Sequence, residues 1–151
     1  MNILVVLKKL EELEIAMSKT YQWIAQLFPH ERQVCDFFNN MAVDEYAHYE
    51  YVRYQSRMVR RAPKDYGEVN VDIADIERTL AEVARFRASN PTVKDAIRFA
   101  LHIETEVTER LATTLMAQSN KEFAAFLNQL AGPMQQDHYK ALITFAKSYG
   151  R

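Results

Sequence analysis

The chain has 151 residues, enough for one domain with a buried hydrophobic core. Apolar residues make up 48% of it, whereas glycine occurs three times and proline four times, which favours an all-α fold. The formal net charge of −1 argues against a protein that binds DNA or RNA by neutralising phosphates. No apolar run approaches the ~20 residues needed to cross a bilayer, and the single Cys35 excludes an internal disulfide. We therefore expect one soluble, cytoplasmic domain over residues 1–151.

Two long helices are predicted in the first half of the chain from apolar residues spaced three and four apart. The stripe of the first helix runs over 7–28 and is interrupted by Glu14. The stripe of the second helix, predicted over 31–61, contains Glu45 and His48, which point the same way because they are three residues apart. Three side chains with metal-binding chemistry thus occupy positions that the pattern assigns to the core.

A third long helix is predicted after a shorter helical segment over 72–88. Ser89-Asn90-Pro91 predicts its start, as a cap followed by a first-turn proline. Its apolar stripe is interrupted by Glu104. His102 lies two residues earlier and points to the other side of the helix, so we expect it at the surface.

A fourth helix is predicted over 121–148, but its apolar phase shifts by one residue partway along. Gly132-Pro133 lies between the two phases, so we expect a kink or a one-residue bulge there. The phase that leads back from the C-terminal end places Gln135 and His138 on the core face. The fourth helix therefore also brings metal-binding chemistry to the interior.

Two antiparallel helix pairs are predicted, because the connections at 29–30 and 119–120 are short. Residues 62–90 join the pairs and are long enough to run from one end of a four-helix bundle to the other. This permits the ferritin-like arrangement, an antiparallel four-helix bundle with one long crossover connection that contains the short helix.

The charged stripe positions should lie at one height in such a bundle. Glu14 and Glu45 are similarly far from the first turn, and Glu104 and His138 are similarly far from the second. Buried carboxylates need compensation, which a metal ion would provide. Each glutamate alone could instead lie at the edge of its stripe, reach solvent or pair with a lysine or arginine. Their convergence favours the metal, since no lysine or arginine shares the layer by the same phase.

The ligand pattern resembles that of rubrerythrin-type members of the ferritin-like superfamily over nearly the whole chain. The residues that carry the resemblance are Glu14 followed by Tyr21, Glu45-x-x-His48, Glu104 and His138. The resemblance implies a pair of iron ions, or manganese or a mixed pair, with Glu45 and Glu104 as candidates for bridging. It implies terminal positions for Glu14 and the histidines, and a position beside the ligands for Tyr21.

Three departures from the family pattern weaken this comparison. Gln135 replaces the glutamate of the fourth helix, and an amide oxygen is a weaker, neutral donor. Two divalent ions carry four positive charges against three from the glutamates, so the second metal should bind less well unless hydroxide or Asp137 contributes. Val107 and Leu111 stand where the family has a glutamate and a tyrosine. Without a Cys-x-x-Cys tail, electrons would have to come from a separate donor.

Two functions remain in view. The first is a non-haem di-iron protein that reacts with O2 or peroxide, as an oxidoreductase or in iron handling. The alternative is a non-enzymatic ferritin-like bundle with one metal or none, acting as an interaction or structural module. The tyrosines of the second helix favour a homodimer in either case. These residues are Tyr46, Tyr49, Tyr51 and Tyr54.

Overall fold

The computed structural model describes residues 1–62, 68–118 and 120–149, apart from the side chain of Met134. Ser119, which belongs to the second predicted turn, lies outside this set. The described residues form six helices and no strand, with one isolated bridge between Asn2 and Glu68. The predicted all-helical class is therefore confirmed. Among these helices, none combines the length and the apolar character that crossing a membrane requires.

The helix bounds agree closely with the apolar stripes. In chain order the helices are α1 (Ile3–Leu27), α2 (Arg32–Arg61), α3 (Ile73–Arg87), α4 (Val93–Met116), α5 (Lys121–Leu130) and α6 (Pro133–Tyr149). Side chains of Asn2, Asp72 and Asn120 accept otherwise unpaired amides at the starts of α1, α3 and α5.

The predicted cap at Ser89-Asn90-Pro91 is wrong. Helix α4 instead starts after Thr92, whose hydroxyl accepts the Asp95 amide while the Asp95 carboxylate accepts the Thr92 amide. This reciprocal pair satisfies two backbone donors at once, which Ser89 or Asn90, three and two residues before Thr92, could not do for this helix.

The predicted fourth helix is divided in two, so a single helix over 121–148 is wrong. Helix α5 ends at Leu130 and α6 begins at Pro133, where the missing proline amide costs no hydrogen bond. A Cβ atom on Gly132 would lie 3.2 Å from the backbone oxygens of Asn128 and Gln129, so the turn leaves little room for a side chain. The break falls at the predicted phase change, and Leu142 of the second phase is fully buried.

Helices α1 and α2 pack along their lengths as an antiparallel pair. The Ser18 hydroxyl donates to the Ala42 carbonyl oxygen at 2.7 Å. Farther along, the Ser56 hydroxyl donates to Glu11 Oε1 at 3.1 Å. Residues early in α1 therefore meet residues late in α2, as the short connection between the helices requires.

Helix α2 is also antiparallel to the α5–α6 segment. The rings of Phe37 and Phe145 stack with centroids 4.0 Å apart, and those of Tyr51 and Phe126 lie 5.4 Å apart. Helix α4 packs against α6, where the Thr105 and Tyr139 hydroxyls are 2.8 Å apart.

Helix α3 packs on the outer side of α1 and also contacts α4. The rings of Trp23 and Phe86 meet edge to face with centroids 5.8 Å apart, and Phe86 also stacks on Phe99 of α4. The connection between α2 and α4 thus returns along α1. Four helical segments, from α1, α2, α4 and α6, enclose the polar layer described next.

Candidate metal centre

Six side chains with metal-binding chemistry lie in the interior, each at most 5% exposed. They are Glu14, Glu45, His48, Glu104, Gln135 and His138. The four surrounding helices each contribute at least one of them, because each helix turns its apolar face inward and the polar residue occupies one position of that face. The predicted burial of all six is confirmed, whereas their role as ligands stays a prediction.

Glu14, Glu45 and His48 form the first of two groups. His48 Nδ1 lies 3.3 Å from Glu45 Oε2 and 3.7 Å from Glu14 Oε2. One potential ligand atom from each residue lies within 4.8 Å of the others. His48 Nε2 is buried and has no hydrogen-bond partner within the described part of the chain.

Glu45, Glu104 and His138 form the second group. His138 Nε2 lies 3.0 Å from Glu45 Oε1 and 3.1 Å from Glu104 Oε1. Glu45 therefore belongs to both groups, with Oε2 facing His48 and Oε1 facing His138. The centroids of the two imidazole rings are 5.8 Å apart. Glu45 thus lies between two buried histidines, with one histidine at each of its carboxylate oxygens.

Three further side chains hold the second group in place. The Tyr21 hydroxyl donates to Glu104 Oε1 at 2.7 Å, so Tyr21 lies beside the buried carboxylates. Gln135 Nε2 donates to Glu104 Oε2 at 3.2 Å. Gln135 acts here as a hydrogen-bond donor to Glu104. His138 Nδ1 lies 2.9 Å from Asp44 Oδ2.

The contact of Asp44 with His138 is not predicted from the sequence, which instead offers hydroxide or Asp137 as the source of the further negative charge. Asp137 is exposed on α6 and points away from the layer, so it cannot supply the missing negative charge. Asp44 lies next to Glu45, but it is outside the apolar stripe of α2. Its partner His138 is 94 residues away, and the height at which two helices meet is not encoded in either stripe.

The carboxylates and imidazoles compensate one another electrostatically. Burial, together with the charges of Glu104 and Glu14, raises the pKa of Glu45 well above its ordinary value. Burial would also raise the pKa of Glu104, but hydrogen bonding and charge attraction from His138, with a hydrogen bond from Tyr21, lower it to about 2. The interior thus favours a proton on Glu45 and a charge on Glu104.

Both buried histidines have raised pKa values. Burial alone would lower the pKa of His48, but hydrogen bonds with Glu14 and Glu45 raise it to about 10. In the same way, Glu104 and Glu45 overcome burial and raise the pKa of His138 to about 11. Both imidazoles are therefore protonated at neutral pH and balance the carboxylates.

The donor set fits a pair of divalent cations. One cation bound at His48 Nδ1 and another bound at His138 Nε2 would replace the positive charges that protons supply to the two imidazoles. Binding through Nδ1 would leave the proton on His48 Nε2, which is buried and has no acceptor among the described residues. Carboxylate oxygens with imidazole nitrogens suit iron and manganese.

A separate surface group contains Glu82, His102 and Glu106. His102 Nε2 lies 2.9 Å from Glu82 Oε2 and 3.1 Å from Glu106 Oε1. The exposure predicted for His102 is confirmed, since 57% of its side chain is exposed. This group could also bind a cation, so metal titrations of the protein must separate it from the interior.

A small cavity of about 30 Å³ borders Glu14, with Val107 and Leu111 in its wall. Arg110 lines the same cavity and donates to the Thr79 hydroxyl. The expectation that no lysine or arginine shares the layer by the same phase is not contradicted by Arg110. Arg110 lies on the side of α4 that faces the Glu14 cavity, outside the apolar stripe that Glu104 interrupts.

A scan against protein-family models found none that matches this chain, and searches of curated proteins and of solved structures found no match either. The resemblance to rubrerythrins thus stays a prediction from the residues, and the function is argued from the geometry.

Proposed function

We propose that this chain is a rubrerythrin-like, non-haem di-iron protein of the ferritin-like type, with manganese or a mixed pair as variants of the same site. The observation that carries the proposal is Glu45, whose two carboxylate oxygens face different buried histidines. The antiparallel packing of α1 with α2 and of α2 with α6 supports a ferritin-like bundle. The return of the chain through α3 supports its single crossover.

Each metal position would have its own terminal residues. Glu14 and His48 would hold one metal, Glu104 and His138 the other, and Glu45 both. The metal pair would supply the electrons for reducing O2 or peroxide.

The surrounding residues orient the ligands and exclude water. Tyr21 keeps its proton, because burial and the charge of Glu104 raise its pKa well above the ordinary value. It can therefore remain a donor to Glu104 Oε1. Asp44 accepts the Nδ1 proton of His138 and directs Nε2 inward, which is a common arrangement around ligating histidines. An electron donor would be a separate protein or molecule.

Asp44 also changes the charge balance. Two divalent cations carry four positive charges, and the three interior glutamates supply only three negative charges. Gln135 is neutral and does not supply the fourth negative charge. The Asp44 carboxylate contacts His138 from outside the layer and adds the fourth negative charge. The second metal position is therefore better supported than Gln135 alone would suggest.

Anaerobic Fe(II) titration followed by exposure to O2 tests the proposal. Native protein should bind two irons per chain in the interior and then develop near-ultraviolet absorption of an oxidised iron centre. Glu45→Ala should lose both irons, because it removes the shared carboxylate. His102→Gln should keep them, which separates interior binding from the surface group. Less than one iron per chain in the His102→Gln variant would refute the proposal.

The alternative is a non-enzymatic bundle with one metal or none. The observation that favours it is that carboxylates and protonated histidines already satisfy one another in the interior. Metal content after expression in iron-rich medium discriminates, since this bundle would retain less than one equivalent. Either form could be a homodimer through α2, where Val43, Tyr46 and Tyr54 are exposed.

A further inference from the structure

A cavity of about 310 Å³ lies at the break between α5 and α6 and reaches the polar layer. Its mouth is formed by exposed residues, Ala112 of α4 and Asn128 of α5. Its inner end is formed by buried Leu111 and Gln135. Because Gln135 donates to Glu104 Oε2, this cavity leads from solvent to the half of the centre that contains Glu104 and His138.

The lining of this cavity is uncharged. Its walls combine aliphatic side chains with amides and one hydroxyl, and no lysine, arginine, aspartate or glutamate is among the described lining residues. The Thr108 hydroxyl is buried and has no hydrogen-bond partner within the described ranges. Thr108 lies one turn after Glu104, so the part of the cavity wall that Thr108 forms is beside the centre.

The helix break accounts for the opening. A continuous helix over this segment would need a backbone hydrogen bond that Pro133 cannot donate. The turn at Gly132 also leaves little room for a side chain that would fill the space. Gly132-Pro133, where the apolar phase of the predicted fourth helix shifts, thus coincides with an entrance to the interior.

The cavity on the other side of the centre is a poorer route. It borders Glu14 and has a volume of about 30 Å³. This is room for roughly two water molecules, at about 10–15 Å³ for each. Arg110 in its wall places a cation there, whereas the cavity beside Gln135 has an uncharged lining.

We propose that the cavity at the α5–α6 break is the passage by which small uncharged reactants, O2 or hydrogen peroxide, reach the Glu104–His138 half of the centre. Charged reactants of similar size are excluded, because the uncharged walls offer no counter-charge for a desolvated ion. The identity of the reactants rests on the proposed function, whereas the passage and its selectivity are properties of the metal-free chain.

Cysteine labelling tests the passage without metal. Thr108→Cys is prepared in a Cys35→Ser background, and its thiol is treated with neutral methyl methanethiosulfonate or with sulfonate and trimethylammonium analogues. The neutral reagent should react at least ten times faster than either charged one. Adding Ala112→Phe at the mouth should slow the neutral reagent at least tenfold, whereas Ala84→Phe, on an exposed face of α3, should not.

Asn128→Phe plugs the mouth from α5 and provides a second variant if Ala112→Phe fails to fold. Equal labelling by neutral and charged reagents, or unchanged labelling in a folded plugged variant, would overturn the proposal. In iron-loaded protein, the plug should slow oxidation by O2 and by peroxide in separate assays, with Fe(II) stoichiometry unchanged. Failure to bind iron would refute the proposed function and leave the labelling result intact.

Discussion

Asp44→Asn should weaken metal binding at the Glu104–His138 position. Asparagine can still accept the His138 Nδ1 proton through its side-chain oxygen, so the substitution removes the negative charge and keeps the hydrogen bond. Loss of such an outer carboxylate typically weakens metal binding about 10–100-fold. The Asp44 side chain is 50% exposed, so solvent screens its charge. We therefore expect about a tenfold loss, or about 1.4 kcal/mol.

Asp137→Asn is the matched control. Asp137 lies beside His138 in sequence, carries the same charge and is exposed outside the layer. Anaerobic calorimetric titrations with Mn(II) or Fe(II) in the His102→Gln background would compare the variants. Gln135→Glu should tighten binding, and the Asp44→Asn, Gln135→Glu double variant should return within about threefold of the native affinity because the total charge is restored. Equal affinities for Asp44→Asn and Asp137→Asn would refute the assigned role of Asp44.

The remaining predictions concern protons, stability and assembly. Because the pKa values of His48 and His138 are about 10 and 11, both start protonated at pH 7, and metal binding should release at least two protons from the imidazoles, with a further proton from Glu45, whose pKa is also raised. Affinity should therefore rise as pH increases from 6 to 8, which titrations in buffers of different ionisation enthalpy would check. Tyr21→Phe should destabilise the metal-free fold by about 1–2 kcal/mol in urea unfolding, because Glu104 loses a buried donor. The homodimer stays a prediction: light scattering should give twice the chain mass, and Tyr46→Glu should lower it.

The helices and the charged positions inside them could be predicted from the sequence, because a stripe spaced three and four apart identifies the face that a helix buries. Glu14, Glu45 and Glu104 were visible as interruptions of such stripes. His138 required a choice between two phases, and the structure shows that each phase is correct on its own side of Gly132.

The contacts between helices could not be predicted in the same way. A stripe specifies rotation about the helix axis, but it does not specify how far one helix slides along another. The pairing of Asp44 with His138 depends on that sliding, as does the approach of Arg110 to the Glu14 cavity. The cap of α4, in contrast, could have been predicted from the sequence, because Thr92-x-x-Asp95 has the spacing of a capping box with aspartate in place of glutamate.

The two halves of the centre differ in how firmly hydrogen bonds hold their side chains. This difference reverses the expectation that the neutral Gln135 makes its half the weaker metal position. The His138 half has support from outside, with Asp44 on its imidazole and Tyr21 and Gln135 donating to Glu104. The His48 half has a longer contact to Glu14, at 3.7 Å, and an imidazole nitrogen without a partner in the described structure. Ligands that are already oriented lose less conformational freedom on binding. The first metal should therefore occupy the half with Gln135, and the weaker position should be the one with the complete Glu45-x-x-His48 motif.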